Sequence, residues 1–169
     1  MVSRCMKTDS PFGVLLIREG DDSGSATTHH IGSLARLIDF YQGSDGLLGV
    51  TAIGGQRFRL LASEQQDDGL YIGTIELIED EPPLQLPTEF STLPKILANV
   101  MDDLGRLYES QDRKFDDAVW VTYRLLEILP IDLEQKQLSL ESSDTAARLK
   151  LVGELLHSVR GPAQQQSSD

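Results

Sequence analysis

IGSLARLIDFYQGSDGLLGVTAIGGQRFRLL, residues Ile31 to Leu61, decides the fold class, because it alternates extended apolar runs with glycine punctuation. The runs Ile31 to Tyr41, Leu47 to Ile53 and Arg57 to Ala62 are rich in Ile, Leu, Val, Phe and Tyr. They are separated by Gly43-Ser44-Asp45-Gly46 and by Gly54-Gly55, which predicts three consecutive antiparallel strands. Gly54-Gly55 reads as a tight turn, since glycine accepts positive φ without a Cβ clash. In the third strand Phe58, Leu60 and Ala62 fall on one face and Arg57, Arg59 and Ser63 on the other. One face is therefore expected to meet a core and the other, with both arginines, to meet water.

Toward the N-terminus, Phe12 to Arg18 reads as one apolar strand covered on both faces, and Glu19 to Thr28 as a polar loop adjoining His29 and His30. Met1 to Asp9 carries Val2, Cys5 and Met6 at helical spacing and ends in a breaker, Ser10-Pro11. Toward the C-terminus, Asp67-Asp68-Gly69 signals a hairpin that releases a strand from Leu70 to Glu79. Tyr71, Ile75 and Leu77 lie on one face of that strand, Thr74 and Glu76 on the other. EDEPPLQLP, Glu79 to Pro87, ends the β pattern, because three prolines cannot join a central strand or a helix interior.

After Thr88 the period becomes helical. Leu93, Ile96, Leu97, Val100, Met101, Leu104 and Leu107 make one stripe, with Pro94 in the first turn. Ala118 to Leu129, with Trp120 and Tyr123, is apolar on nearly every side and predicts a central buried helix stopped by Pro130. Asp132 followed by Gln135 has the form of an N-cap with its partner, opening a short helix through Leu140. Ser142-Ser143-Asp144 caps a last helix with Leu149, Val152, Leu156 and Val159 inward, and Ala163 to Asp169 is a polar tail.

The order PFGVLLIREG, IGSLARLIDF, DGLLGVTAIGGQRFRLL and DGLYIGTIELIED resembles the N-terminal, substrate-binding domain of Lon proteases and its stand-alone bacterial relatives. YRLLEILPIDLEQKQLSLESSDTAARLKLVGELL, Tyr123 to Leu156, resembles the close of that domain, where a helix ends at Leu-Pro and the last helix carries an Arg-Leu pair. The resemblance implies an α+β fold: an antiparallel, PUA-like β-barrel or sheet half, then a C-terminal half like a four-helix bundle. The expected boundaries are 1–84 for the β part, 85–160 for the helical part and 161–169 for a disordered tail. In the family a Phe-Pro strand and a helix entered through Phe-Glu-x-Arg-Tyr precede the point where this sequence starts. The sheet is thus expected to lack its first strand, through an upstream start or a shortened member, and its open edge is expected to favour a homodimer.

The same resemblance implies a non-catalytic module that binds unfolded or degron-bearing protein segments. Residues placed to line a groove are Phe58 and Tyr71 on the sheet with Leu84 and Leu86 in the connector, although isolated apolar residues at strand period are usually packed into a core. The alternative is a PUA-like site for a small molecule or modified nucleotide. The sequence shows no phosphate-cradling Gly-x-x-x-x-Gly-Lys-Ser/Thr loop, no Gly-x-Ser-x-Gly and no His-Glu-x-x-His, so no catalytic residue, cofactor or metal is assigned. His29 and His30 are adjacent in extended chain and point to opposite faces, a poor chelate. The acid pairs Asp21-Asp22, Asp67-Asp68, Asp102-Asp103 and Asp116-Asp117 read as solvated. A net charge of −12 disfavours nucleic acid. The single cysteine, Cys5, cannot form an intrachain disulfide, and no apolar run is long enough for a signal core or a membrane span, so a cytoplasmic address is expected.

Overall fold

A computed structural model describes residues 5, 8–20, 26–43, 46–105, 108 and 111–160. The expectations for Val2, Met6, Asp21-Asp22, Ser44-Asp45, Leu107 and the tail from Ala163 lie outside the described residues. The chain divides into two units, Met1–Asp80 and Glu81–Asp169. The described elements are an antiparallel sheet half followed by four α-helices, an α+β order.

The first unit is built on strands β1 (Phe12–Val14), β4 (Ile31–Gln42), β5 (Leu48–Gln65) and β6 (Tyr71–Leu77), hydrogen-bonded in the order β1-β4-β5-β6 with every pair antiparallel. A separate two-stranded ribbon pairs β2 (Ile17–Glu19) with β3 (Thr27–Thr28). The expected single strand from Phe12 to Arg18 is therefore two strands serving two sheets, broken at Leu15-Leu16. Val14 is exposed, so this segment is not covered on both faces. Part of the expected polar loop is strand β3. The chain beyond it is tied down through its backbone: His29 N–H donates to Leu16 O at 2.9 Å, and His30 O accepts from Leu60 N–H at 2.7 Å.

Gly54-Gly55 is not a turn. The expected second and third strands are one strand of 18 residues, β5, that runs straight through both glycines. Neither glycine has positive φ, and the ladder shifts register here: Ser33 faces Arg57 while Ala35 faces Gly54. Three residues of β5 thus span two of β4, the signature of a bulge, which bends and twists a strand without reversing it. β4, at 12 residues, is long enough to pair on both sides of the bulge. The turns that do reverse the chain use left-handed glycines, Gly46 at φ 80° and Gly69 at φ 81°. Around Gly69, Gln66 N–H donates to Leu70 O at 2.8 Å and closes the β5–β6 hairpin that Asp67-Asp68-Gly69 predicts.

In the second unit a short 3-10 turn at Thr88–Phe90 leads into α1 (Leu93–Leu104), α2 (Ala118–Ile128), α3 (Leu133–Glu141) and α4 (Thr145–Arg160). Two predicted caps are in place: Asp132 Oδ1 accepts from Gln135 N–H at 2.7 Å and Asp144 Oδ1 from Ala147 N–H at 3.0 Å. Asp117, read from sequence as a solvated acid, caps α2 instead, with its Oδ1 accepting from Val119 N–H at 3.0 Å. The core is Leu93, Leu97 and Met101 of α1, Ala118, Val121, Leu125 and Leu126 of α2, Leu149 and Val152 of α4, and Tyr108. Trp120 is half-buried rather than central, packed edge-on to Phe115 with ring centroids 5.6 Å apart.

Candidate functional site

The four groove residues expected from sequence fall in different units. Phe58 and Tyr71 belong to the sheet unit, Leu84 and Leu86 to the helical unit. Phe58 is 1% exposed. Its ring lies against two glycines, so that a Cβ added at Gly13 would come within 2.9 Å of Phe58 Cζ and one at Gly32 within 3.0 Å. Tyr71 is exposed at the start of β6. Leu84 holds its exposed side chain on a fixed backbone: its N–H donates to Asp117 Oδ1 at 3.1 Å and its carbonyl accepts from Ala118 N–H at 2.7 Å. Leu86 is half-buried against the helical core, with its N–H donating to Asp116 O at 3.0 Å.

Sequence reasoning missed how much of the sheet unit stays uncovered. Its buried apolar residues, among those described, are Cys5, Ile31, Ala35 and Phe58. Large apolar side chains left exposed include Val14 on β1, Ile38, Tyr41, Leu47 and Val50 toward the β4–β5 turn, and Leu61, Tyr71, Ile72, Ile75 and Leu77 on β5 and β6. Every residue of β6 is exposed, and Leu77, directly opposite buried Phe58, is itself 52% exposed. The alternation of β6 was legible; its solvation on both faces was not, because that depends on what lies beyond the strand.

Two expectations for β5 are corrected. Arg57 is buried, next to buried Phe58, so β5 is covered on both faces at this point and an arginine stem fills the second face. Arg59 is exposed as expected and lies 3.7 Å from Glu76 across the ladder. A second register shift, between Leu60 and Ala62, inserts Leu61 as an extra residue. Ala62 then pairs with Thr74 while Leu60 pairs with Ile75, so Leu60 and Ala62 do not share a face.

The helical unit encloses a polar cluster that joins its first residue to its last helix. Glu81 Oε2 accepts from Arg148 Nη2 at 2.6 Å and from Thr145 Oγ1 at 2.7 Å, while Glu81 Oε1 accepts from the Tyr123 hydroxyl at 2.8 Å. Arg148 Nη1 donates to Ser142 O at 2.9 Å, and the guanidinium stacks 4.2 Å above the Tyr123 ring centroid. The Arg148 and Glu81 side chains are 2% and 8% exposed. Burial pushes the Glu81 carboxyl up, but the hydrogen bonds from Arg148, Thr145 and Tyr123, with the Arg148 charge, outweigh it and hold the group below its ordinary value. A carboxylate saturated in this way is a fastener. Elsewhere, Tyr108 donates to Glu127 Oε1 at 3.2 Å, and burial with that neighbouring carboxylate pushes the phenol up.

The acid pairs within the described residues also do structural work. Asp68 Oδ1 accepts from Leu70 N–H in the hairpin, Asp102 pairs with Arg113 at 2.8 Å, and Asp117 caps α2. A concavity of about 140 Å³ beside Cys5, Asp9, Arg36 and Phe40 is smaller than the ~300–1,000 Å³ of pockets that enclose drug-sized ligands. No described helix is long and apolar enough to cross a membrane.

The family model for the substrate-binding domain of ATP-dependent protease La (LON) matches residues 1–158. The chain belongs to this LON substrate-binding domain family. A Lon N-terminal domain protein from Xanthomonas campestris is 30% identical, with 90% of this chain and 80% of that one covered and a TM-score of 0.69. The N-terminal domain of Mycobacterium avium complex Lon protease is 17% identical, with 86% and 77% covered and a TM-score of 0.52, and shares the fold. No curated protein matched. The LON-family features quoted from the sequence now have positions in the fold. Leu129-Pro130 ends α2, and the Arg-Leu pair of the last helix is Arg148-Leu149, which sends one side chain to Glu81 and the other into the core.

Proposed function

We propose that this chain is a non-catalytic binding module for protein segments, carrying neither ATPase nor peptidase activity and acting in the cytoplasm. Membership of the LON substrate-binding family supports the class. The observation that carries it to a surface is that the sheet unit, among the described residues, leaves more large apolar side chains exposed than buried, with Tyr71, Ile72, Ile75 and Leu77 all exposed on β6. Contiguous exposed apolar area marks surfaces that bind other chains. Of the four residues expected from sequence, Tyr71 lies on this strand and is the contact we keep, with Phe58 packed within the same unit. Unfolded or degron-bearing segments are the substrates this surface suits, because they expose the apolar side chains that folded proteins hide.

The test is fluorescence anisotropy with a labelled, reduced and carboxymethylated protein that cannot refold, against the same protein in its native form. The full chain should bind the unfolded form and ignore the native one, and neither ATP turnover nor casein cleavage should track the purified protein. Equal binding of both forms, or of neither, refutes the reading.

A further inference from the structure

The β5–β6 hairpin fixes which way the backbone of β6 points. Gln66 N–H donates to Leu70 O and Ile78 N–H donates to Arg57 O at 2.9 Å, so Leu70 and Ile78 both turn their backbone groups toward β5. In an antiparallel ladder that orientation alternates, which turns Ile72, Thr74 and Glu76 inward and leaves the N–H and C=O groups of Tyr71, Gly73, Ile75 and Leu77 facing away. β6 is an outer strand of its sheet, and none of these four residues has a further partner among the described residues. Sheet edges of this kind are usually blunted by lysine, proline or a short strand. β6 has seven residues, no proline and no lysine.

Its charge is of one sign. Asp67 and Asp68 precede the strand, Glu76 lies within it and Glu79 and Asp80 follow; from Leu60 to Pro94 the sequence contains no lysine or arginine. Of the two arginines of β5 beside it, Arg59 is engaged with Glu76 and Arg57 is buried. A second copy of the chain fits this edge poorly. Antiparallel self-pairing over the whole strand would set Asp67 and Asp68 of each copy beside Glu79 and Asp80 of the other.

We infer that the outer edge of β6 binds an extended segment of a partner protein by strand addition, and that it selects segments with apolar side chains at alternate positions and lysine or arginine at the ends. The inference rests on the binding-module reading and names its substrate class. Main-chain hydrogen bonds to Tyr71, Gly73, Ile75 and Leu77 supply affinity without regard to sequence, and the apolar side chains of Tyr71, Ile75 and Leu77 favour apolar alternation. The acidic ends supply the preference for cations.

The probe is a labelled peptide of alternating valine and threonine with lysines at both ends, titrated with the full chain at low salt. It should bind, its counterpart with glutamates at the ends should bind about tenfold or more weakly, a difference worth ~1.4 kcal/mol, and added salt should narrow the gap. Methylating alternate backbone nitrogens of the peptide should abolish binding. Ile75→Pro removes an outward N–H, leaves the ladder to β5 intact, and should lose the peptide with its circular dichroism unchanged. Should that variant not fold, Glu79→Lys with Asp80→Lys alters no backbone group and should shrink the lysine preference severalfold. Equal binding of the lysine and glutamate peptides, or undiminished binding of the methylated one, overturns the inference. If the unfolded protein binds the wild-type chain while the lysine peptide does not, or binds Ile75→Pro as well as wild type, the module reading stands and strand addition at β6 falls. If the unfolded protein does not bind the wild-type chain, both fall.

Discussion

Replacing Arg148 with alanine should be among the most destabilising single changes in the helical unit. The substitution strands the Glu81 carboxylate at 8% side-chain exposure without its cationic partner. It also removes a donor to Ser142 O and the cation above the Tyr123 ring. Breaking a buried pair by removing one partner costs about 3–5 kcal/mol, and the other losses overlap with that figure because they share the same guanidinium. At ~4 °C per kcal/mol for a unit of this size, the lower bound alone lowers the unfolding midpoint by about 12 °C. Urea denaturation followed by circular dichroism gives the free energy, and a cycle with Glu81→Gln isolates the pair. The double variant should be more stable than the sum of the two single losses, since glutamine does not strand a charge. The pH dependence has a defined sign. The folded-state pKa of Glu81 is lowered, so its contribution is fully present above the unfolded value of 4.5 and is lost as pH falls through the folded value. The gap between wild type and Glu81→Gln should therefore close in acid. A loss below ~1 kcal/mol for Arg148→Ala, or strict additivity in the cycle, would show that the cluster is solvated and the argument wrong.

Gly32→Ala should cripple the sheet unit, because the added Cβ would sit 2.3 Å from the carbonyl oxygen of Val14, backbone that cannot move without breaking β1 from β4; amide hydrogen exchange across β1 and β4 would report it. Asp117→Ala removes at once the cap of α2 and the acceptor for Leu84 N–H, and should cost about 1–2 kcal/mol in a thermal melt. Trp120→Ala should cost about 2 kcal/mol, below the ~3–5 expected of a fully buried aromatic, because the side chain is half-exposed and its contact with Phe115 accounts for ~1 kcal/mol; an unchanged midpoint would place it in solvent.

Much of the helical unit was legible because its signals are local. The stripe through Leu93, Leu97 and Met101, the caps at Asp132 and Asp144 and the stop at Pro130 each act within a turn or two of chain, as does the hairpin at Asp67-Asp68-Gly69. What sequence could not decide was settled by partners distant along the chain. Gly54-Gly55 has the chemistry of a turn and of a bulge alike; the reach of β4 on both sides selected the bulge. Arg57 has the pattern of a wet face, yet the structure buries it. Glu81 and Arg148 stand 67 residues apart, and neither looks unlike any surface charge until the fold withdraws both from water. The identity of β6 as a strand was written in its alternation. That it is an edge, with four backbone positions turned outward, is a property of the sheet order, because a strand's hydrogen-bonding capacity is local but its satisfaction depends on its neighbours.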